Sequence, residues 1–402
     1  MQSAQSPRAP LRLKKNEHRR LRAGHLWVFS NEVDTALTPL TELEPGQLVE
    51  LQTHQGRPLG VAYANPHSLI CARVLSRDKD APVGQPLLTH RLKVALSLRE
   101  RLYPEPFYRL VHGEGDHLPG LVVDRYGDVL VVQLNTAGME RFKEELVTAL
   151  DKVIRPRVIL FRNDSALRRL EGLDLYVESR GNAPEQVLVQ EAGVRYRVPL
   201  SGGQKTGWFY DQRPNRHRLR HYAGGRRVLD VFSYLGGWGL QAAAAGAERV
   251  LCVDSSQTAL ETLLGSAGDN ELLDRVEVRR GDAFEVLREL RQEGQRYDVV
   301  VLDPPAFIKR KKDAAAGEQA YHRLNQLGMQ LLTRDGILVS CSCSYHLRGE
   351  RLQQMLVQGS RHLDRSLQLL ERGHQGPDHP VHPAIAETEY LKALFCRVLP
   401  TA

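Results

Sequence analysis

Beyond Pro184 the chain alternates apolar, strand-length runs with helix-length segments, and this pattern constrains its fold more than any other feature. The predicted strands are Arg227 to Val231, Arg249 to Asp254, Val276 to Arg279, Tyr297 to Leu302 and Gly336 to Ser340. Alternation of this kind belongs to a parallel sheet covered by helices on both faces, since parallel neighbours need a crossover between them. A doubly wound α/β domain follows, with its ligands expected at the carboxyl ends of the strands.

The preceding residues are organised differently. Short β-like segments at 27–29, 48–51, 59–63 and 70–75 are separated by Pro45-Gly46, Gln55-Gly56 and Asn65-Pro66, which predicts a small β unit. It opens with Arg8, Arg12, Lys14, Lys15, Arg19, Arg20 and Arg22, a stretch that suits a phosphate backbone and a solvated face equally well. From Ala81 a helical pattern runs through Leu102, followed by strands Gly120 to Asp124 and Val129 to Leu134, a helix near Glu140 to Val153 and a strand Arg157 to Phe161. Asp116 and Asp124, around Leu118-Pro119-Gly120, read as turn residues, and the module as one that positions rather than catalyses. The predicted division is therefore 1–80, 81–190 and 191–402, in keeping with a length that favours two or three domains.

Charge and cysteine content narrow the setting. Lys and Arg number 55 against 48 Asp and Glu, and the net charge of +7 favours a polyanionic partner without requiring one. The 5 cysteines fit no disulfide framework, and the polar stretch Met1 to Pro10 has no signal-peptide core, so a reducing cytoplasm is expected. The longest charge-free run, Val231 to Ala247, holds Ser233, Tyr234, Gln241 and several glycines, and reads as a loop and buried helix instead of a membrane span.

The chemistry-bearing residues fall at the predicted strand ends. Asp230-Val231-Phe232-Ser233 leads through Gly236-Gly237 into an Ala-rich helix, a loop whose glycines and free N–H groups suit a ligand. Its Asp-x-Phe-Ser-x-x-Gly-Gly spacing differs from the Gly-x-Gly-x-x-Gly that seats a pyrophosphate. Asp254 ends the second strand, where a carboxylate accepts from ribose hydroxyls, and Asp282 follows the third, near where an adenine amino group would be read; each also suits a turn or helix N-cap. An adenosine without phosphates, carrying a sulfonium, fits this set better than a dinucleotide, so S-adenosylmethionine is the expected cofactor. Asp303-Pro304-Pro305-Ala306-Phe307 places a carboxylate on a rigid loop facing a planar base, with Phe307 as a stacking face. In Ser340-Cys341-Ser342-Cys343-Ser344 a thiolate at Cys343 would serve covalent attack on a ring carbon; a buried apolar cysteine or a Cys-x-Cys metal pair are the alternatives. His374, His379 and His382 lie among prolines in an extended segment, and no metal site is expected.

At these residues the chain resembles the RlmI-like family of bacterial large-subunit ribosomal RNA cytosine-5 methyltransferases. The resemblance extends over nearly the whole length, through Gly203-Gln204-Lys205-Thr206-Gly207-Trp208-Phe209-Tyr210-Asp211-Gln212-Arg213, the glycine loop, Val253-Asp254-Ser255-Ser256, Asp303 to Phe307, Ser342-Cys343-Ser344, Asp378-His379-Pro380 and Tyr390-Leu391-Lys392. It implies an N-terminal PUA domain, a central α+β domain and a class I, Rossmann-like methyltransferase domain. It implies further that Cys343 adds to C6 of cytosine in 23S ribosomal RNA and that Asp303 contacts N3. Cofactor contacts are implied at Asp230, Phe232, Ser233, Gly236, Asp254 and Asp282, with Lys205, Thr206 and Phe209 at the methionine end. Asp303-Pro304-Pro305-Ala306 lacks the second cysteine found there in many RNA cytosine-5 enzymes, so another base must act at product release. Two rival readings stand beside this one: an RNA N-methyltransferase acting on guanine or adenine, and a non-catalytic RNA-binding protein. A homodimer is compatible with the sequence, and no membrane partner is expected.

Overall fold

A computed structural model of the chain describes residues 8–201 and 206–401. Packing divides it into two compact units: Met1–Glu185 with Gly203–Trp208 and Asp378–Thr388, and Gln186–Gly202 with Phe209–Pro377 and Glu389–Ala402.

The first unit holds two five-stranded sheets. One runs in the order Ala9–Arg12, Gln47–Gln52, Pro58–Ala64, Ala72–Ser76 and Trp27–Val28 around Leu11, Val28, Val49, Leu51 and Ala62. The other runs Tyr176–Arg180, Val158–Asn163, Val129–Leu134, Leu121–Tyr126 and Phe107–His112, and helices Gln85–Leu102 and Lys143–Val153 contribute Leu88, Leu92, Leu146 and Leu150 to its core. The segments predicted as separate modules at residue 80 keep separate sheets but interlock. The hydroxyl of buried Tyr63 lies 2.9 Å from the Pro119 carbonyl and 3.0 Å from Thr136 Oγ1, and a Cβ on Gly138 would stand 2.1 Å from the Tyr63 ring. Only glycine admits that approach.

Asp116 and Asp124 do more than turn the chain. Asp124 lies inside strand Leu121–Tyr126 and pairs with Arg109 at 2.5 Å, while Asp116 meets buried Arg99 at 2.6 Å. Arg99 also donates to the carbonyl of Asp378 at 2.7 Å, and the Arg109 N–H donates to Asp378 Oδ2 at 3.0 Å. This is why Asp378–Thr388, expected within 191–402, packs with the first unit: a buried guanidinium needs acceptors, and Ile385 completes the core of the first sheet. His379 and His382 set their rings against His112 and His117 at 5.0 and 5.4 Å, whereas His374 belongs to the second unit.

The second unit begins with an antiparallel hairpin, Gln186–Glu191 and Val194–Pro199, and helix α1 (Arg213–Ala223). There follow β1 (Arg227–Val231), α2 (Gly237–Ala244), β2 (Arg249–Asp254), α3 (Gln257–Asp269), β3 (Val276–Arg280) and α4 (Ala283–Gln292). The chain continues as β4 (Tyr297–Leu302), α5 (Ala314–Gln330), β5 (Leu332–Ser342), α6 (Gly349–Arg361), β6 (Arg365–Gly373) and β7 (Lys392–Pro400). These strands form one seven-stranded sheet in the order β3-β2-β1-β4-β5-β7-β6. The first five are parallel to one another; β7 is antiparallel to β5 and β6. Leu229, Val231, Val300, Leu302 and Leu338 fill its centre, each such burial contributing roughly 1.5–3 kcal/mol. Strand order reverses between β1 and β4, which opens the crevice where such sheets bind ligands. Among the described residues no helix is long and apolar enough to cross a membrane.

Candidate active site

The loop leaving β1 is built under strain. Phe232 and Tyr234 have φ of 66° and 48°, and Gly236, at 80°, starts α2. Left-handed non-glycine residues cost about 1–3 kcal/mol each and gather where function over-determines the backbone. A Cβ on Gly239 would lie 2.4 Å from Cys252 Sγ, so α2 sits hard against β2. Asp230 is fully buried, and its Oδ2 accepts from the Gly239 N–H at 2.9 Å. Its Oδ1, and Ser233 Oγ three residues later, are buried with no hydrogen-bond partner among the described residues. Burial pushes the Asp230 carboxyl up to about 7, the Gly239 N–H acting the other way.

Asp254 braces the same loop: Oδ2 accepts from Tyr234 N–H at 2.9 Å and Oδ1 from Ser256 N–H at 2.9 Å. Each oxygen keeps a second lone pair for a ligand hydroxyl. Asp282 is the N-cap of α4, its Oδ1 accepting from Phe284 N–H at 2.9 Å and Glu285 N–H at 3.2 Å. Of the residues expected at the methionine end, Phe209 meets Tyr234 edge-on at 5.6 Å, and Thr206 falls in the first unit, where its carbonyl accepts from the Tyr126 hydroxyl at 3.0 Å. Lys205 lies outside the described residues.

Asp303 follows β4, adjoining the end of β5 through the Leu302–Ser340 pairing. Gln212 Nε2 donates to its Oδ1 at 2.9 Å and Trp238 Nε1 to its Oδ2 at 2.9 Å, which fixes the carboxyl plane. Burial pushes the Asp303 carboxyl up to about 6 against those two donors. At the end of β5, Cys341 is buried and burial drives its thiol well above the ordinary range, whereas Cys343 is half-exposed. The flanking serines hold Cys343 in place instead of activating it. Ser342 Oγ donates to Tyr321 Oη at 3.0 Å, and the Tyr321 hydroxyl lies 3.0 Å from Ser344 Oγ, which in turn accepts from the Ile308 N–H at 3.2 Å. Tyr321 thus ties the cysteine turn to the Asp303 loop. Phe307, expected as a stacking face, is itself packed 4.8 Å from Tyr321 and 6.5 Å from Phe232. In the exposed run Lys309 to Lys312, Arg310 pairs with Asp313, the residue that follows the run, at 3.0 Å. Gln212, Trp238 and Tyr321 escape a reading of the sequence. Gln212 had a signal in the Asp211-Gln212-Arg213 block; the other two are helix residues whose partners come only with the fold.

The strand order with β7 reversed, and an acidic row along the carboxyl edge, define a class I methyltransferase domain. Comparison with known proteins is consistent with this: residues 109–397 match the S-adenosylmethionine-dependent methyltransferase family, and residues 11–77 match a PUA-like domain. The ribosomal RNA large subunit methyltransferase I of Erwinia tasmaniensis is 36% identical over 393 residues, covering 96% of this chain and 98% of its own. Its namesake from Aliivibrio fischeri is 37% identical over 393 residues, 96% and 98% of the two chains. SMU.776, a methyltransferase by assignment that was solved in complex with SAH, has the same fold, with a TM-score of 0.82 over 97% of this chain and 100% of its own at 23% identity. The chain belongs to the ribosomal RNA large subunit methyltransferase I family.

The residues present fit an S-adenosylmethionine cofactor, because Asp230 Oδ1 and Ser233 Oγ are the kind of buried, unfilled polar atoms that a bound ligand completes. A raised native carboxyl binds more protons than the unfolded one. The penalty at Asp230 is therefore absent below about pH 4, grows as pH rises, and is fully present above its native value of about 7. Asp230→Asn keeps an acceptor for Gly239 and removes that charge. It is expected to raise the melting temperature of the ligand-free protein at pH 8 but not at pH 4, and to weaken cofactor binding in calorimetry by about 10–100-fold. Equal shifts at both pH values would show that ionisation at Asp230 is not the cause.

Proposed function

We propose that the protein methylates C5 of a cytosine in 23S ribosomal RNA through a covalent adduct between Cys343 and C6. The observation that carries this reading is the pairing at two adjacent strand ends: a half-exposed cysteine locked by Tyr321 beside a carboxyl locked by Gln212 and Trp238. Cytosine C5 is a poor nucleophile until a group adds at C6, so a positioned thiolate has a chemical purpose that nitrogen methylation lacks. As the C6–S bond forms, the electron pair of the C5=C6 double bond is displaced toward C5 and N3. Asp303, titrating at about 6, stands near the protonation state needed to donate to N3. When bound, S-adenosylmethionine would supply an electrophilic methyl group to C5, its methyl–sulfur bond breaking to leave the neutral thioether. Asp230, Phe232, Ser233, Gly236, Asp254 and Asp282 would hold it, and the family resemblance implies Lys205, Thr206 and Phe209 for its methionine end. A base then removes the C5 proton and the C6–S bond breaks, restoring the thiolate.

The segments 1–80, 81–190 and 191–402 take the roles of RNA grip, spacer and catalyst in this scheme, in the cytoplasm. A target base in folded RNA must be turned out of its stack, at a few kcal/mol. The test is nucleoside mass analysis of 23S ribosomal RNA from a strain lacking the gene, after incubation with the protein and S-adenosylmethionine. The expected product is 5-methylcytidine; a methylated guanosine or adenosine in its place would overturn the assignment.

A further inference from the structure

Lys392 is an ionisable group that the scheme above leaves unused. It opens β7 and pairs in antiparallel register with Ser342, so the cysteine is the next residue along the facing strand. Its half-buried Nζ donates to the Ser344 carbonyl at 2.6 Å and to the Tyr390 carbonyl at 2.8 Å. Both acceptors are neutral, and no carboxylate lies within ion-pair distance of Nζ among the described residues. An ammonium has three N–H donors and, out of water, requires a compensating charge.

Among the described residues, several titratable groups lie around the pair. Burial pushes Lys392 down to about 8, opposed first by the negative charge of Cys343 and then by Glu389, which is exposed. From α5, Tyr321 also faces Cys343, but burial raises its phenol and its hydroxyl is engaged with Ser342 and Ser344. Cys341 and, beyond it, Asp303 bear only potential negative charge. These groups are neutral or anionic, and of this set only the lysine becomes a cation.

We propose that Lys392 is a positioning residue that takes the proton from Cys343 and holds the resulting thiolate as an ion pair. The Cys343 S–H bond breaks, its electron pair stays on sulfur, and an N–H bond forms at Nζ. Elimination from C6 returns the thiolate and not the thiol, so the pair persists from one turnover to the next without a further proton. The inference rests on Cys343 being the nucleophile, but its test reads the thiolate itself and not methyl transfer.

The experiment follows alkylation of Cys343 by iodoacetamide against pH in the full-length protein, quantified by peptide mass spectrometry. Lys392→Gln keeps a donor for the two carbonyls and removes the charge. Its profile is expected to move to higher pH by about one unit or more, a roughly tenfold slower alkylation at pH 7. Lys392→Arg is expected to restore most of the wild-type profile, since a purely packing role would not distinguish the two. SAH binding by calorimetry checks folding, and Lys392→Met replaces the glutamine variant if that variant fails to bind. A neutral variant whose alkylation profile superimposes on wild type, or an arginine variant no faster than the neutral one, would overturn the proposal. Retained turnover in a Cys343→Ala protein would instead remove the covalent mechanism while leaving this thiolate measurement valid.

Discussion

Cys343→Ala is expected to lower methyl transfer by on the order of 10⁴-fold or more, the scale on which loss of a covalent nucleophile acts, while SAH binding stays within about twofold of wild type. The asymmetry follows from where the side chain sits. Cys343 is half-exposed at the end of β5, and the serine–tyrosine network that shapes its turn uses Ser342, Ser344 and Tyr321, none of which the substitution touches. Little stability is at stake. Cys341→Ala reverses the pattern: this thiol is buried, and burial holds it protonated, so its loss costs stability by opening a small cavity and leaves chemistry nearly intact. RNA carrying 5-fluorocytidine sharpens the test, because fluorine occupies the position from which a proton must leave. Wild type is expected to form a denaturant-resistant complex that the Cys343→Ala protein does not. If the alanine variant turned over normally, a nitrogen methyltransferase would replace the present reading.

The second large effect lies behind the site. Arg216 of α1 and Glu191 of the hairpin form a two-pronged pair, with Nε to Oε1 at 2.7 Å and Nη2 to Oε2 at 2.6 Å, and each side chain is only 3% exposed. Arg216→Met leaves the Glu191 carboxylate buried and uncompensated, so a loss of about 3–5 kcal/mol is expected in urea unfolding of the second unit. Arg213, 3.7 Å away, offsets part of this. Exchanging both partners, as Arg216→Met with Glu191→Leu, is expected to recover most of the loss, since an apolar pair has no charge to desolvate. Arg216 also lowers the carboxyls of Asp230 and Asp303, so its removal raises both further. A single substitution costing under about 1 kcal/mol would show that water reaches this pair.

Sequence pattern captures the parallel half of the sheet because buried parallel strands write continuous apolar runs: the predicted Arg227 to Val231, Arg249 to Asp254 and Tyr297 to Leu302 coincide with β1, β2 and β4. It misses β6, whose residues alternate between half-buried and exposed and include exposed Leu370, and β7, which closes the sheet by antiparallel pairing with a segment distant in sequence. The placement of Asp230, Asp254, Asp303 and Cys343 at the carboxyl edge is legible for a similar reason, since each lies at or just beyond the end of a readable strand. The contacts of Gln212, Trp238, Tyr321 and Lys392 are not, because their partners are assembled only by the order of strands. Asp282 shows the limit within a single residue: its N-cap hydrogen bonds are local and readable, while any contact of its other oxygen depends on the ligand.

The passage of Asp378–Thr388 into the first unit bears on biosynthesis. Ile385 fills the core built by residues from Leu11 onward, and Asp378 satisfies Arg99 and Arg109, yet both are translated after the catalytic sheet's first five strands. During synthesis the first unit therefore waits, with an open core and an under-satisfied guanidinium, until nearly the whole catalytic unit has emerged. A fragment ending at Glu185 inherits the same defect permanently, so exchanging or excising this unit at one junction would not give an independently folded module.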